Sequence, residues 1–229
     1  LASVDLHFVE AGTRVELTDL FDPASLVAST LDDGSVMAAM DFRPDPGGFV
    51  RILVRDISST PSRAGAVVQR LIEIETYRLL ALLGLPEAQQ LSPRIQDIEV
   101  RLTHLAGQMT QSTALETDHD LLDRLTGMLA ELEAHSSLWN FRFGATRAYE
   151  SIVQQRLAAI DEKPFEGWPS IDVFLSRRMT PAMRTVNMLD ARQSQLSGKL
   201  VRAANILRTR VDVEIEQQIA DAGTKVMQV

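Results

Sequence analysis

The chain has 229 residues, 45% of them apolar and only 5% aromatic, with a net charge of −8. That is enough for a real hydrophobic core, and it excludes a disordered chain. There is no cysteine and no long unbroken apolar run, which excludes disulfides, thiolate chemistry and a bilayer-spanning helix within these residues. Leu1 stands where an initiator methionine would, and no basic-then-apolar leader follows it. A processed piece of a longer protein is the expectation.

The first sixty residues read as β. "VDLHFV" and "RVELTDL" alternate; "LVAST" leads through Asp32-Asp33-Gly34 into "SVMAAMDF", and Asp45-Pro46-Gly47-Gly48 turns that run into "FVRILVRDI". Asp-Gly and Pro-Gly-Gly between β-branched runs predict hairpins, hence a small antiparallel meander. Val50, Ile52 and Val54 share the packed face of its last strand. Arg51 and Arg55 share the other face, partly wet, with Leu53.

At "SSTPSRAG" the period changes. Thr60 is a good N-cap, Pro61 suits the first helical position, and Gly84 with Pro86 is a stop. "RLIEIETYRLLALLGLP" half alternates like a strand. Its capped length and the helical spacing of Ala64, Val67, Val68, Leu71, Ile72, Leu79 and Leu82 decide for a helix. Glu73 falls on the wet side of that helix. Glu75 falls at the edge of the apolar face, which predicts a buried carboxylate paired with an arginine.

Everything beyond reads helical. Ile95, Ile98, Leu102 and Leu105 mark a segment from about Pro93 to Met109, and "TQSTALETDHD" reads as a loop. Asp118 is expected to cap a long run through Ile160, along which Leu121, Leu125, Met128 and Leu132 step by four, three and four. "DEKPFEGWPS" is a break, and a short helix covers Ile171 to Met179. Thr180-Pro181 then either caps a new helix or kinks a continuous one. In the last helix Ala182, Val186, Leu189, Gln193, Leu196, Leu200, Ala203 and Leu207 form a coiled-coil seam. Val211, Ile215 and Ile219 continue it in steps of four, as a stutter does. The expected fold is α+β: an N-terminal antiparallel meander over 1–60 packed on a bundle of long helices over 61–229, the two forming one compact unit.

Six stretches, "FDPASLVAST", "DFRPDPGGFVRILVRD", "RAGAVVQRLIEIETYRLLALLGLP", "RFGATRAYESIV", "PAMRT" and "LVRAANILRTRVDVEIEQQ", resemble a bacterial family of uncharacterised proteins predicted to be membrane-anchored. The resemblance runs from Phe21 to Gln218 and implies membrane helices after the last helix, outside this chain. It brings no catalytic residue. The layout is also similar to that of CorA-type magnesium channels, though no residue motif supports that likeness.

Candidate chemistry is sparse. Asp118, Asp120 and Asp123 flank His119 and could hold a divalent cation such as Mg²⁺; the plainer reading is a first helical turn complementing the macrodipole. Asp32-Asp33-Gly34 is plainer still as a turn. Glu75 and Arg78, three apart, would form a buried network with Arg142 or Arg147, more often a packing device than a catalytic one. Trp139, Phe143 and Tyr149 in "LWNFRFGATRAY" read as core rather than as a ligand stack. His7, His104, His119 and His135 match no metal spacing, and "LSGK" lacks the glycine and strand of a phosphate loop.

The sharpest signal is charge. From Arg177 to Arg210 eight basic residues (Arg177, Arg178, Arg184, Arg192, Lys199, Arg202, Arg208 and Arg210) face one acid, Asp190, leaving −15 on the rest of the chain. Such a helix suits an anionic cytoplasmic leaflet, or pairs with the protein's own acidic surface or a neighbouring copy. Nucleic acid is not expected, because the overall field is acidic and no aromatics interleave with the basic positions.

The reading is a non-enzymatic domain on the cytoplasmic face of a bacterial inner membrane. It would associate as a homo-oligomer along the seam Leu189, Leu196, Leu200, Leu207, Val211, Ile215 and Ile219, and regulate a membrane part. A CorA-like divalent-cation transporter domain, with metal held between subunits, is the first alternative. An enzyme of unknown reaction acting through Glu75 and the Arg142/Arg147 region is the second.

Overall fold

A computed structural model describes residues 3–111 and 115–226. The chain divides into two units, Leu1–Leu85 with Gly144–Thr185, and Pro86–Phe143 with Val186–Val229. Among the described residues no helix is long and apolar enough to cross a membrane.

The first unit holds a mixed five-stranded sheet in the order β1-β4-β3-β2-β5, formed by β1 (Val4–Val9), β2 (Val27–Leu31), β3 (Val36–Pro44), β4 (Val50–Asp56) and β5 (Lys163–Pro164). Strands β2, β3 and β4 are the expected antiparallel meander. Its first turn puts Asp32, Asp33 and Gly34 all at positive φ (54°, 56° and 81°), a region that Asp tolerates and Gly adopts freely. At the second turn the Asp45 carboxylate accepts the N–H groups of Gly47 and Phe49 at 2.8 and 2.9 Å.

β1 departs from the meander: it pairs in parallel with β4, Val4 opposite Val50 through Val9 opposite Arg55. Parallel neighbours need a crossover, not a hairpin. The stretch "RVELTDL" is therefore no strand but part of that connection, carrying one helical turn, α1 (Leu17–Leu20), with Leu17 buried. The break "DEKPFEGWPS" supplies β5, which closes the far edge against β2.

Helix α2 (Pro61–Leu82) starts as its caps predict, with the Thr60 hydroxyl accepting the Arg63 N–H. Val67, Leu71 and Ile74 lay it on the sheet face formed by Val36, Ala38, Met40, Ile52 and Val54. Val153 and Leu157 from the end of α4 (Leu115–Ala159), and Ile171, Leu175 and Met179 from the start of α5 (Ile171–Val226), complete that core. The opposite sheet face, with Met37, Ala39 and Leu53, is covered by Leu17, Phe21 and Leu26. At Gly84 a Cβ would stand 2.2 Å from the Thr146 hydroxyl oxygen, so only glycine admits this approach.

In the second unit, α3 (Gly84–Gln111) packs with the first part of α4 and the last part of α5 around Leu91, Ile95, Leu125, Leu132, Phe143, Leu196 and Leu200. Two expectations are corrected here. α3 begins at Gly84 rather than near Pro93, which lies inside it. Pro93 and Gln89, whose carbonyl loses its donor, both lie on the exposed face, where water substitutes. The loop expected over "TQSTALETDHD" is also shorter. α3 continues to Gln111 and α4 resumes at Leu115, while residues 112–114 lie outside the described ones. α5 is one continuous helix with exposed Pro181 inside it.

Candidate functional site

The most site-like arrangement in the first unit begins with helix spacing. Glu75 and Arg78 share the buried face of α2 with Leu71 and Ile74. Glu75 is fully buried. Its two carboxylate oxygens accept from Arg78 Nε at 2.8 Å and Nη2 at 2.7 Å, a two-pronged pair of the stronger kind.

The Arg78 guanidinium also lies 5.1 Å from the ring centre of Phe42. Phe42 stacks on Phe174, centroids 5.1 Å apart and planes 10° apart, and Arg178 caps that ring from 4.5 Å. The column therefore reads arginine, two rings, arginine. Phe42 occupies the irregularity between Met40 and Pro44 at φ +59°, a strained conformation for a bulky residue, worth about 1–3 kcal/mol. Its neighbour Asp41 holds the irregularity by accepting the N–H groups of Asp22 and Arg43 at 3.1 and 3.0 Å.

The expected pair is present, Glu75 with Arg78 of its own helix, whereas Arg142 and Arg147, the other arginines expected in the network, sit at exposed positions on α4. Both Glu75 oxygens are already used and the group is shut off from solvent, which suits an anchor for packing rather than an acid or base that meets substrate. The neighbouring Glu73 is held below the usual carboxylate range by hydrogen bonds from Gln69 and Arg156. Half-buried Glu150 on α4 is pushed up by burial. Tyr149 stacks on Tyr77 with centroids 5.8 Å apart, and Trp139 and Phe143 are buried in the second unit's core.

A second polar cluster closes the start of α5. Glu162 accepts the Ile171 and Asp172 N–H groups at 2.5 and 2.9 Å and the Ser29 hydroxyl at 2.5 Å. A carboxylate thus satisfies the helix's orphan donors. Nothing in the local sequence signals this, because Ser29 and Glu162 are 133 residues apart.

The aspartate trio does not converge. Asp118 is not a cap but an interior residue of α4. It is fully buried, with Oδ2 3.4 Å from Arg210 Nη1, which also donates to the Met109 carbonyl at 3.0 Å. Asp120 points to solvent beside Arg124, and Asp123 is exposed. Two and five residues along a helix these carboxylates face different sides, and no group of three His, Asp or Glu among the described residues could hold a metal ion.

The association seam is corrected in its covered part. Leu189, Leu196, Leu200 and Leu207 are core residues of the second unit, walled by α3 and α4, and Val211 is also buried. Gln193 is buried among them with its carbonyl oxygen lacking a hydrogen-bond partner. Coverage then ends. Arg210 reaches Met109 and Asp118 at the connected ends of α3 and α4, and α5 continues to Val226. Ile215 is 38% exposed and Ile219 67%.

The eight basic residues behave differently from one another. Arg192 pairs with Glu99 on α3 and Arg210 with Asp118, whereas Arg177, Arg184, Lys199, Arg202 and Arg208 are exposed.

A family model described as "Protein of unknown function (DUF3422)" matches residues 1–222, and the chain belongs to that family. No curated protein and no solved structure matches it.

Proposed function

We propose that this DUF3422 chain is a non-enzymatic domain that self-associates through the stretch of α5 beyond Val211 and serves a membrane part from the cytoplasmic face of a bacterial inner membrane. One observation supports the association. The apolar line that is buried as far as Val211 continues through Ile215 and Ile219 after α3 and α4 have ended. A row of large apolar side chains on an overhanging helix is an unfinished core, and a partner finishes it. The membrane placement rests on the resemblance described above and on the exposed basic residues of α5.

Sedimentation equilibrium over a hundred-fold concentration range tests the association. Weight-average mass should rise with concentration, and Ile219→Glu should hold it at one chain with the helical signal intact. A wild-type protein that is strictly monomeric throughout overturns the reading.

A further inference from the structure

We propose that the partner of the α5 overhang is the α5 of a second copy, running antiparallel, in a closed two-fold dimer centred between Val211 and Asp212. The inference rests on the self-association reading and specifies its interface.

Charge is its first support. Between Arg192 and Arg210, α5 carries Arg192, Lys199, Arg202, Arg208 and Arg210 and no acid; between Val211 and Gly223 it carries Asp212, Glu214, Glu216 and Asp221 and no base. Arg192 and Arg210 are already paired within the chain. That leaves exposed Lys199, Arg202 and Arg208 before the midpoint and exposed Asp212 and Glu216 after it. A parallel pair would set like charges beside like. Reversal sets the basic half of each helix on the acidic half of the other, so the pattern selects the antiparallel pair.

Side-chain spacing is the second support. Val201, Ala204, Arg208, Asp212, Ile215, Ile219 and Ala222 recur in steps of three and four, which places them along one side of the helix. Val201 is 41% exposed and Ala204 half-buried on the covered stretch, and Ile215 and Ile219 are exposed on the overhang. Just before this strip, Ser197 donates to Glu133 of α4 at 2.8 Å, so the first half of the strip runs along the flank of α4, which ends beside Arg210, and the second half lies beyond it. Reversal about the proposed centre brings Val201 opposite Ala222 and Ala204 opposite Ile219, small against large. It also places Arg208 one turn from Asp212 of the other copy. The same patch then serves both partners, as a closed two-fold contact requires.

The absence of cysteine makes the test clean. Ala204→Cys and Ile219→Cys chains are prepared separately, mixed and oxidised mildly. The proposal expects a mixed disulfide between the two and little product from either alone. Arg208→Asp and Asp212→Arg should each weaken dimerisation at least ten-fold by sedimentation, and the chain carrying both should recover it. Self-cross-linking of Ile219→Cys at the same rate would mean a parallel pair. Association would then stand and this interface would be overturned. A chain that neither cross-links nor dimerises, yet co-sediments with phosphatidylserine vesicles, would give the strip to lipid and overturn both readings.

Discussion

Replacing Arg78 by methionine keeps the length of the side chain and removes its charge, leaving Glu75 fully buried with both oxygens unpaired. Breaking a buried pair from one side costs about 3–5 kcal/mol, most of it the desolvation of the charge left behind. At roughly 2–4 °C per kcal/mol for a chain of this size, the melting temperature of the first unit should fall by about 6–20 °C. Loss of the guanidinium from the Phe42 ring, 5.1 Å away, adds at most about 2 kcal/mol.

The informative partner variant is Glu75→Leu with Arg78→Met. An apolar pair in the same volume removes the stranded charge, so the double variant should return to within about 1 kcal/mol of wild type, or exceed it. Each unit contains one tryptophan, Trp168 in the first and Trp139 in the second. Fluorescence in a Trp139→Phe background therefore follows the first unit during thermal and urea unfolding. A loss below about 1 kcal/mol for Arg78→Met, or a double variant as unstable as the sum of the singles, would refute the reasoning.

Three further outcomes follow from local geometry. Gly84→Ala drives a Cβ into the Thr146 hydroxyl at 2.2 Å and should lose about 1–3 kcal/mol, with recovery in Gly84→Ala plus Thr146→Gly; an unchanged urea midpoint for the single variant contradicts the packing. Glu99 is held below the ordinary carboxylate range by its hydrogen bond from Arg192, so the stability it adds is complete above that range and lost as pH falls through its lowered value. The gap between wild type and Arg192→Met should therefore close on acidification, and a gap that does not vary with pH refutes the linkage. Glu150 has the opposite sign: burial raises its folded value, the unfolded chain gives up the proton first, and stability falls as pH rises through that window. Glu150→Gln should raise the unfolding midpoint at neutral pH and leave it unchanged in acid, and an equal effect at both would count against burial as the cause.

What could be read in advance was what neighbouring residues decide. Thr60 and Pro61 start α2 by their own chemistry, and Asp32-Asp33-Gly34 and Asp45-Pro46-Gly47-Gly48 set the β2–β3–β4 meander, so both are legible from a few residues. "RVELTDL" misled because alternation over so short a run also fits a single helical turn. The reason for the turn, the parallel pairing of β1 with β4, lies some forty residues downstream. The polar tract before Leu121 suggested a loop, yet Asp118 is buried there because Arg210 arrives from 92 residues away. Glu75 was legible as buried from its apolar neighbours. Its partner was local, although arginines on another helix looked equally able to serve. The α5 seam was legible as a seam, but periodicity states only that something covers it. That α3 and α4 do so up to Val211, and no further, is a property of helix ends rather than of the repeat.

The chain's path through its two units also bears on how it is made. The first unit takes residues up to Leu85, leaves its core open while the whole of 86–143 is laid down, and recovers Ile171, Leu175, Met179 and Met183 only when α5 begins. The second unit in turn waits for Leu196, Leu200 and Leu207. Domains usually mature in order as the ribosome delivers them. Here neither unit can close before synthesis has entered the last quarter of these residues, since the first needs the chain to Met183 and the second to Leu207. At an elongation rate of about 5–20 residues per second, the apolar sheet face of Ile52 and Val54 stays without its α5 wall for several seconds after α2 is complete. A nascent chain of this protein is therefore a natural client for a holding chaperone, and a message truncated before Ile171 would yield an aggregating fragment rather than a smaller folded domain.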